Sequence, residues 1–149
     1  MSNFNGHYKG GLAGATLVVA GGIASGMQEP IHLAAMGLST LAFALFPDVD
    51  IKSTPSKIFY GLFLVYLTVL YYLQEFKLAT VSSMIAMLPQ VTKHRGVFHS
   101  VAAAIIIPSY PLYFAQTGSI GFDQASALWL CGSLGYFIHL ALDKKFKLL

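Results

Sequence analysis

Charged residues divide the chain into six uncharged, mostly apolar windows: 10–28, 30–47, 58–74, 78–92, 96–122 and 124–142. A bilayer-spanning helix needs about 20 mainly apolar residues, within a range of roughly 17–25. Five windows reach that length. The fourth is shorter and fits a short span, a tilted interfacial helix or a re-entrant segment. The windows are apolar all round, so periodicity does not separate helix from strand. Length does, because strands end within about eight residues. The strand-like run 103–107 belongs to a longer helix by the same argument. Pro108 and Pro111 predict a kink in that fifth helix. Gly6, Gly10 and Gly14 recur every four residues, as do Gly22 and Gly26. They bare one helix face for close approach by a neighbour. The pattern predicts an all-α, polytopic membrane bundle of about six transmembrane helices, forming one transmembrane domain over residues 1–149.

Composition supports this. The chain is 56% hydrophobic and only 10% charged, whereas a soluble domain carries about 25% charged residues. Disorder needs the opposite balance, low hydrophobicity and high charge. The net charge is +3, but the Lys and Arg residues sit in the short gaps between apolar windows. That placement signals topology rather than a phosphate-binding patch, so no nucleic-acid partner is expected. Cys131 is the only cysteine, which excludes a disulfide framework and a cysteine-based zinc site. Lys9 alone precedes the first window and no clear cleavage site follows, so a retained first helix is expected rather than a cleaved signal. With six spans, Lys9, Lys52, Lys57, Lys93, Arg95, Lys144, Lys145 and Lys147 share one side, against Lys77 on the other. The positive-inside rule then makes both termini cytoplasmic.

The costly polar residues fall in four clusters once His32 and Asp123 are set aside. These are His7; Asp48 and Asp50 after Pro47; His94 and His99 around Arg95, Gly96 and Ser100; and His139 with Asp143. In the six-span arrangement all four lie at cytoplasmic helix ends. Imidazole and carboxylate together are a ligand set for zinc, manganese or iron. His139 and Asp143 are four apart, so a helix stacks them on one face. Asp48 and Asp50 are two apart and fit a loop or helix end. His94 and His99 both point inward only if a helix begins between them, and Gly96 permits the turn. Alone, the Asp pair could be a solvated loop start, and His139 with Asp143 a hydrogen-bonded helix end. Their convergence on one membrane face favours a metal site. His32 reads as a packed or interfacial residue. Tyr71, Tyr72 and Trp129 read as interface or packing aromatics, and Lys144, Lys145 and Lys147 as a headgroup anchor.

These motifs resemble the bacterial membrane-bound metal-dependent hydrolases, the group that includes a LexA-regulated inner-membrane member. The resemblance rests on four elements in the family's order. They are His7 with Gly10, Gly11 and Gly14; Pro47, Asp48 and Asp50; His94, Arg95, Gly96, His99 and Ser100; and His139 with Asp143. Phe98 stands where relatives commonly carry a small polar residue, and Lys144 where a Thr often follows the late Asp. The resemblance implies an inner-membrane, multi-pass enzyme. One or two divalent ions would be held by His7, Asp48, Asp50, His94, His99, His139 and Asp143, zinc first, with manganese or magnesium as alternatives. Such an ion would generate hydroxide from bound water. Asp50 or Asp143 could act as base, Arg95 as an anion clamp, and Ser100 as a further hydrogen-bond donor. A site at headgroup level points to membrane lipids as partners and to a lipid or lipid-linked phosphoester as substrate. The alternative is a non-enzymatic membrane subunit, able to form a homo-oligomer through its glycine-rich helix, whose metal or polar network is structural. An ion transporter fits less well, since transporter sites sit near the bilayer midplane.

Overall fold

A computed structural model describes residues 4–49, 54–72, 74, 76–91, 97–118 and 120–143. Its elements are α1 (Phe4–Ala24), α2 (Pro30–Leu45), α3 (Thr54–Tyr72), α4 (Phe76–Val91), α5 (Val101–Ile106), α6 (Tyr110–Gln116) and α7 (Phe122–Leu142). Three 3-10 turns, Phe46–Asp48, Val97–His99 and Ile107–Ser109, join them, and there is no strand among the described residues. Among the described residues, each apolar window is therefore helical over most of its length. Two stretches, Pro30–Asp48 and Phe122–Leu142, are long and apolar enough to cross a membrane. Phe59–Tyr72 and Val101–Gln116 are shorter apolar helices. In α1 the polar stretch Asn5–Lys9 and repeated glycines dilute the apolar content.

The chain divides into two compact units, Met1–Pro47 with Val97–Leu149, and Asp48–Gly96. The smaller is the hairpin of α3 and α4. Tyr60 donates from its hydroxyl to the Ala86 carbonyl at 2.9 Å, and Tyr66 and Ser82 share a hydrogen bond of 3.2 Å. At the start of this unit Ser56 Oγ donates to the Val49 carbonyl at 3.0 Å.

In the larger unit, α1, α2 and α7 pack against one another. Gly11 faces Leu41 and Ala44, and Gly22 faces Leu33, so α1 runs antiparallel to α2. Gly10 faces Leu142 and Gly14 faces Ile138, so α1 is antiparallel to α7 as well. The α1 helix stops at Gly26, whose φ of +86° suits glycine. There Met27 N–H bonds back to the Gly22 carbonyl at 3.0 Å, as in a Schellman cap. Pro30 then opens α2 where a missing N–H costs nothing.

The α2 and α7 helices run side by side in the same direction. Their N-termini meet through the exposed Gln124–His32 hydrogen bond of 2.6 Å. Mid-way, Ser39 Oγ donates to the Leu128 carbonyl at 3.1 Å. Gly135 lies directly on the Thr40 backbone, where an added Cβ would collide with the Thr40 carbonyl. Small residues thus let two backbones touch, the packing expected where lipid removes the hydrophobic drive between helices. Leu17, Ile31, Leu38, Ile106 and Leu130 remain exposed on this unit, an apolar exterior suited to lipid rather than water.

The break expected at the prolines is present. α5 ends at Ile106, a 3-10 turn carries Pro108, and α6 resumes at Tyr110. A proline supplies no N–H, so nearby carbonyls need other donors. Trp129 Nε1–H donates to the Ile105 carbonyl at 2.9 Å, and Ser109 Oγ donates to the Ile106 carbonyl at 2.7 Å. Trp129 is thus a clasp across the break as well as a packing aromatic.

Gly135→Ala should force α2 and α7 apart and cost about 1–3 kcal/mol, the usual scale for overpacking. Thermal unfolding in detergent measures it. An unchanged transition would mean that the two backbones do not touch there.

Candidate metal centre

The end of the larger unit where α1 begins and α7 stops collects a carboxylate and imidazoles. Asp143 caps α7, its N–H bonded to the His139 carbonyl at 3.1 Å. His7 Nε2 lies 3.2 Å from Asp143 Oδ1. His99 Nε2 and His139 Nε2 each lie 3.8 Å from Asp143 Oδ2. The side chains are buried: His7 and His99 are 2% exposed, His139 0% and Asp143 6%.

Local structure explains the convergence. His7, Gly10, Gly11 and Gly14 share one helical face by their spacing. The glycines press that face onto α2 and α7, and a Cβ at Gly10 would stand 2.6 Å from Leu142 Cδ1. The His7 ring therefore reaches the interior and stacks on His139, with centroids 4.0 Å apart and planes 17° apart. His139 Nδ1 lies 2.9 Å from the Ala44 carbonyl. A carbonyl only accepts, so Nδ1 carries a hydrogen, and Nε2 is the nitrogen that faces Asp143 and is left to ligate an ion.

His99 ends the 3-10 turn Val97–His99 and is held on both sides. The Tyr136 hydroxyl donates to the Phe98 carbonyl at 2.6 Å. Ser100 Oγ accepts the Ala103 N–H at 3.2 Å and caps α5. Phe98 packs edge-on against Phe46, with ring centroids 6.1 Å apart, and Phe46 and Phe43 both meet Tyr136. Phe43, Phe46, Phe98 and Tyr136 thus form one aromatic cluster beside the turn that carries His99. Phe98, which replaces a small polar residue of the resembled pattern, belongs to it.

Of the sequence candidates, His7, His99, His139 and Asp143 are brought together. Asp48 ends the 3-10 turn Phe46–Asp48, directly after the buried Phe46 and Pro47. Ser100 is fully buried and its oxygen caps α5 as an acceptor, a use that is separate from donation by its hydroxyl hydrogen. Asp50, His94 and Arg95 lie outside the described residues. Tyr136 and the Ala44 carbonyl were not anticipated. Tyr136 precedes His139 by three residues and so shares its helix face, a signal present in the sequence. Backbone carbonyls leave no such signal.

The donor chemistry fits a divalent cation. Ligand atoms of His99, His139 and Asp143 lie within 4.8 Å of one another. Two ligands of a tetrahedral zinc stand about 3.4 Å apart for bonds of roughly 2.1 Å. The 3.8 Å separations from Oδ2 to His99 and His139 need to close by only a few tenths of an ångström. The His99 and His139 rings cross at 67°, so both ring planes can contain one ion.

A family model described as YdjM inner membrane protein matches residues 1–145. The chain belongs to that family. YdjM membership agrees with the inner-membrane location that the motif resemblance implied, and the match takes in every residue of the cluster. No curated protein and no solved structure matches the chain.

Tyr136→Phe should leave the buried Phe98 carbonyl without this donor, at a cost of about 1–2 kcal/mol, and loosen His99. Melting temperature and zinc affinity should both fall. If both match the wild type, His99 is positioned by its helix cap alone.

Proposed function

We propose that this YdjM-family protein is a membrane-embedded, metal-dependent hydrolase working at the cytoplasmic face of the bacterial inner membrane. One observation carries the reading: imidazoles of His7, His99 and His139 converge on the buried Asp143 carboxylate at one end of the helices. Burying these groups is costly unless charge is compensated, and a divalent ion supplies that compensation. The ion would be held by His99, His139 and Asp143, and Asp48 keeps its proposed role as a further ligand on the strength of its place in the motifs. Two imidazoles with carboxylates suit zinc or manganese better than magnesium, which prefers oxygen alone.

A bound ion of this kind polarises an ester or phosphoester and lowers the pKa of water. The chain's own residues do the rest. Ala44 fixes which nitrogen of His139 faces the ion, Tyr136 holds the turn carrying His99, and Phe98 anchors that turn against Phe46. Arg95 and Asp50 keep their proposed roles, as clamp for an anionic group and as base, on the strength of their place in the motifs. Six spans with both termini inside bring all four motifs to the headgroup level, which supports a lipid or lipid-linked phosphoester as substrate.

The near-complete burial of the three imidazoles also favours a second reading, a structural ion that ties helix ends together in a membrane subunit. Metal content of detergent-purified wild type beside His99→Ala and His139→Ala separates the outcomes. One equivalent of zinc or manganese in wild type, lost in both variants, is expected. Hydrolysis of a phosphoester or ester panel by loaded wild type only supports the enzyme. A tightly held ion with saturated coordination and no turnover selects the structural role. No ion after reloading removes both.

A further inference from the structure

The carboxylate of Asp143 is shared unequally. His7 approaches Oδ1, whereas His99 and His139 approach Oδ2. The distances differ in kind as well. At 3.2 Å, His7 Nε2 is within hydrogen-bond reach of Oδ1. The 3.8 Å separations on the Oδ2 side are too long for hydrogen bonds but close to the spacing of two ligands on one ion.

Ring orientation gives an independent constraint. An imidazole nitrogen offers its lone pair in the plane of the ring, so an ion bound to two imidazoles must lie near both planes. His99 and His139 meet that condition with planes 67° apart. His7 and His139 do not. Their rings are stacked 4.0 Å apart and tilted by only 17°, so their planes meet far outside the cluster. His139 is committed to Nε2 as its ligating nitrogen because Nδ1–H donates to Ala44. His7, lying flat against it, cannot address the same ion.

We propose that His7 is a positioning residue and not a metal ligand. Its Nε2–H donates to Asp143 Oδ1, orients the carboxylate, and leaves Oδ2 for the ion shared with His99 and His139. The inference rests on the metal reading above. It makes His7 the outer partner of a ligating carboxylate, a type of contact whose loss lowers metal affinity about 10- to 100-fold without removing a ligand.

The test uses full-length protein in detergent, titrated with zinc. His7→Ala should bind the same number of equivalents at saturation, about 10- to 100-fold more weakly. His7→Gln, whose side-chain amide can still donate to Oδ1, should recover most of that loss. X-ray absorption should count two imidazoles, not three, on zinc in both wild type and His7→Gln. In wild type, long-range 1H–15N NMR should show that His7 keeps its Nε2-bound proton when zinc is added, a readout that needs no variant to fold. Loss of that proton, a fall in imidazole count in His7→Gln, or loss of an equivalent in folded His7→Ala would overturn the assignment while leaving the metal site standing. A wild type that binds no zinc would overturn both.

Discussion

Asp143 is a carboxylate only 6% exposed, at the end of an apolar helix, in a chain that is 10% charged. Removing such a group from water costs several kcal/mol unless positive charge or strong donors replace the solvent. The end of the larger unit is built around that cost. One imidazole lies at hydrogen-bond distance from Oδ1 and two more face Oδ2. Imidazoles bring both N–H donors and nitrogen lone pairs, so the pocket joins a carboxylate to several nitrogen ligands. That combination is what divalent transition metals prefer.

Holding the pocket together falls to residues with no chemistry of their own. The glycines of α1 leave room for close packing beside His7, because a Cβ at Gly10 or Gly14 would make the end of the Leu142 or Ile138 side chain turn aside. Gly135 does the same for α2 and α7, bringing Ala44 close enough for its carbonyl to fix which His139 nitrogen faces Asp143. Tyr136 spans from α7 to the turn before His99. Precision at the site is thus inherited from backbone contact rather than from a large apolar core, as expected where lipid competes for every apolar surface.

Much of this was legible in the sequence. The apolar windows became helices, the prolines broke the fifth one, and four of the candidate residues met. Windows report hydrophobicity and motifs report side-chain type, and both follow from local order along the chain. Other features were hidden. Stacking of His7 on His139 depends on how α1 rolls against α7, which spacing alone does not specify. The Ala44 carbonyl belongs to a residue whose side chain says nothing of its role. The motif marks Ser100 only as a hydroxyl donor; its oxygen also accepts the Ala103 N–H and so caps the helix that begins one residue later. Among the described residues, apolar length by itself picks out two long spans. The first helix escapes because the glycines that make it useful also dilute it.

The clustered residues lie far apart in the polypeptide. His7 lies in α1 and Asp143 closes α7. A ribosome feeding this chain into a membrane delivers His7 well before Asp143. Until then α1 faces a bundle that lacks its partner, and no product that stops short of α7 can assemble the cluster. Pairing residues so distant in sequence is slow in folding terms, and it ties closure of the cluster to the insertion of α7.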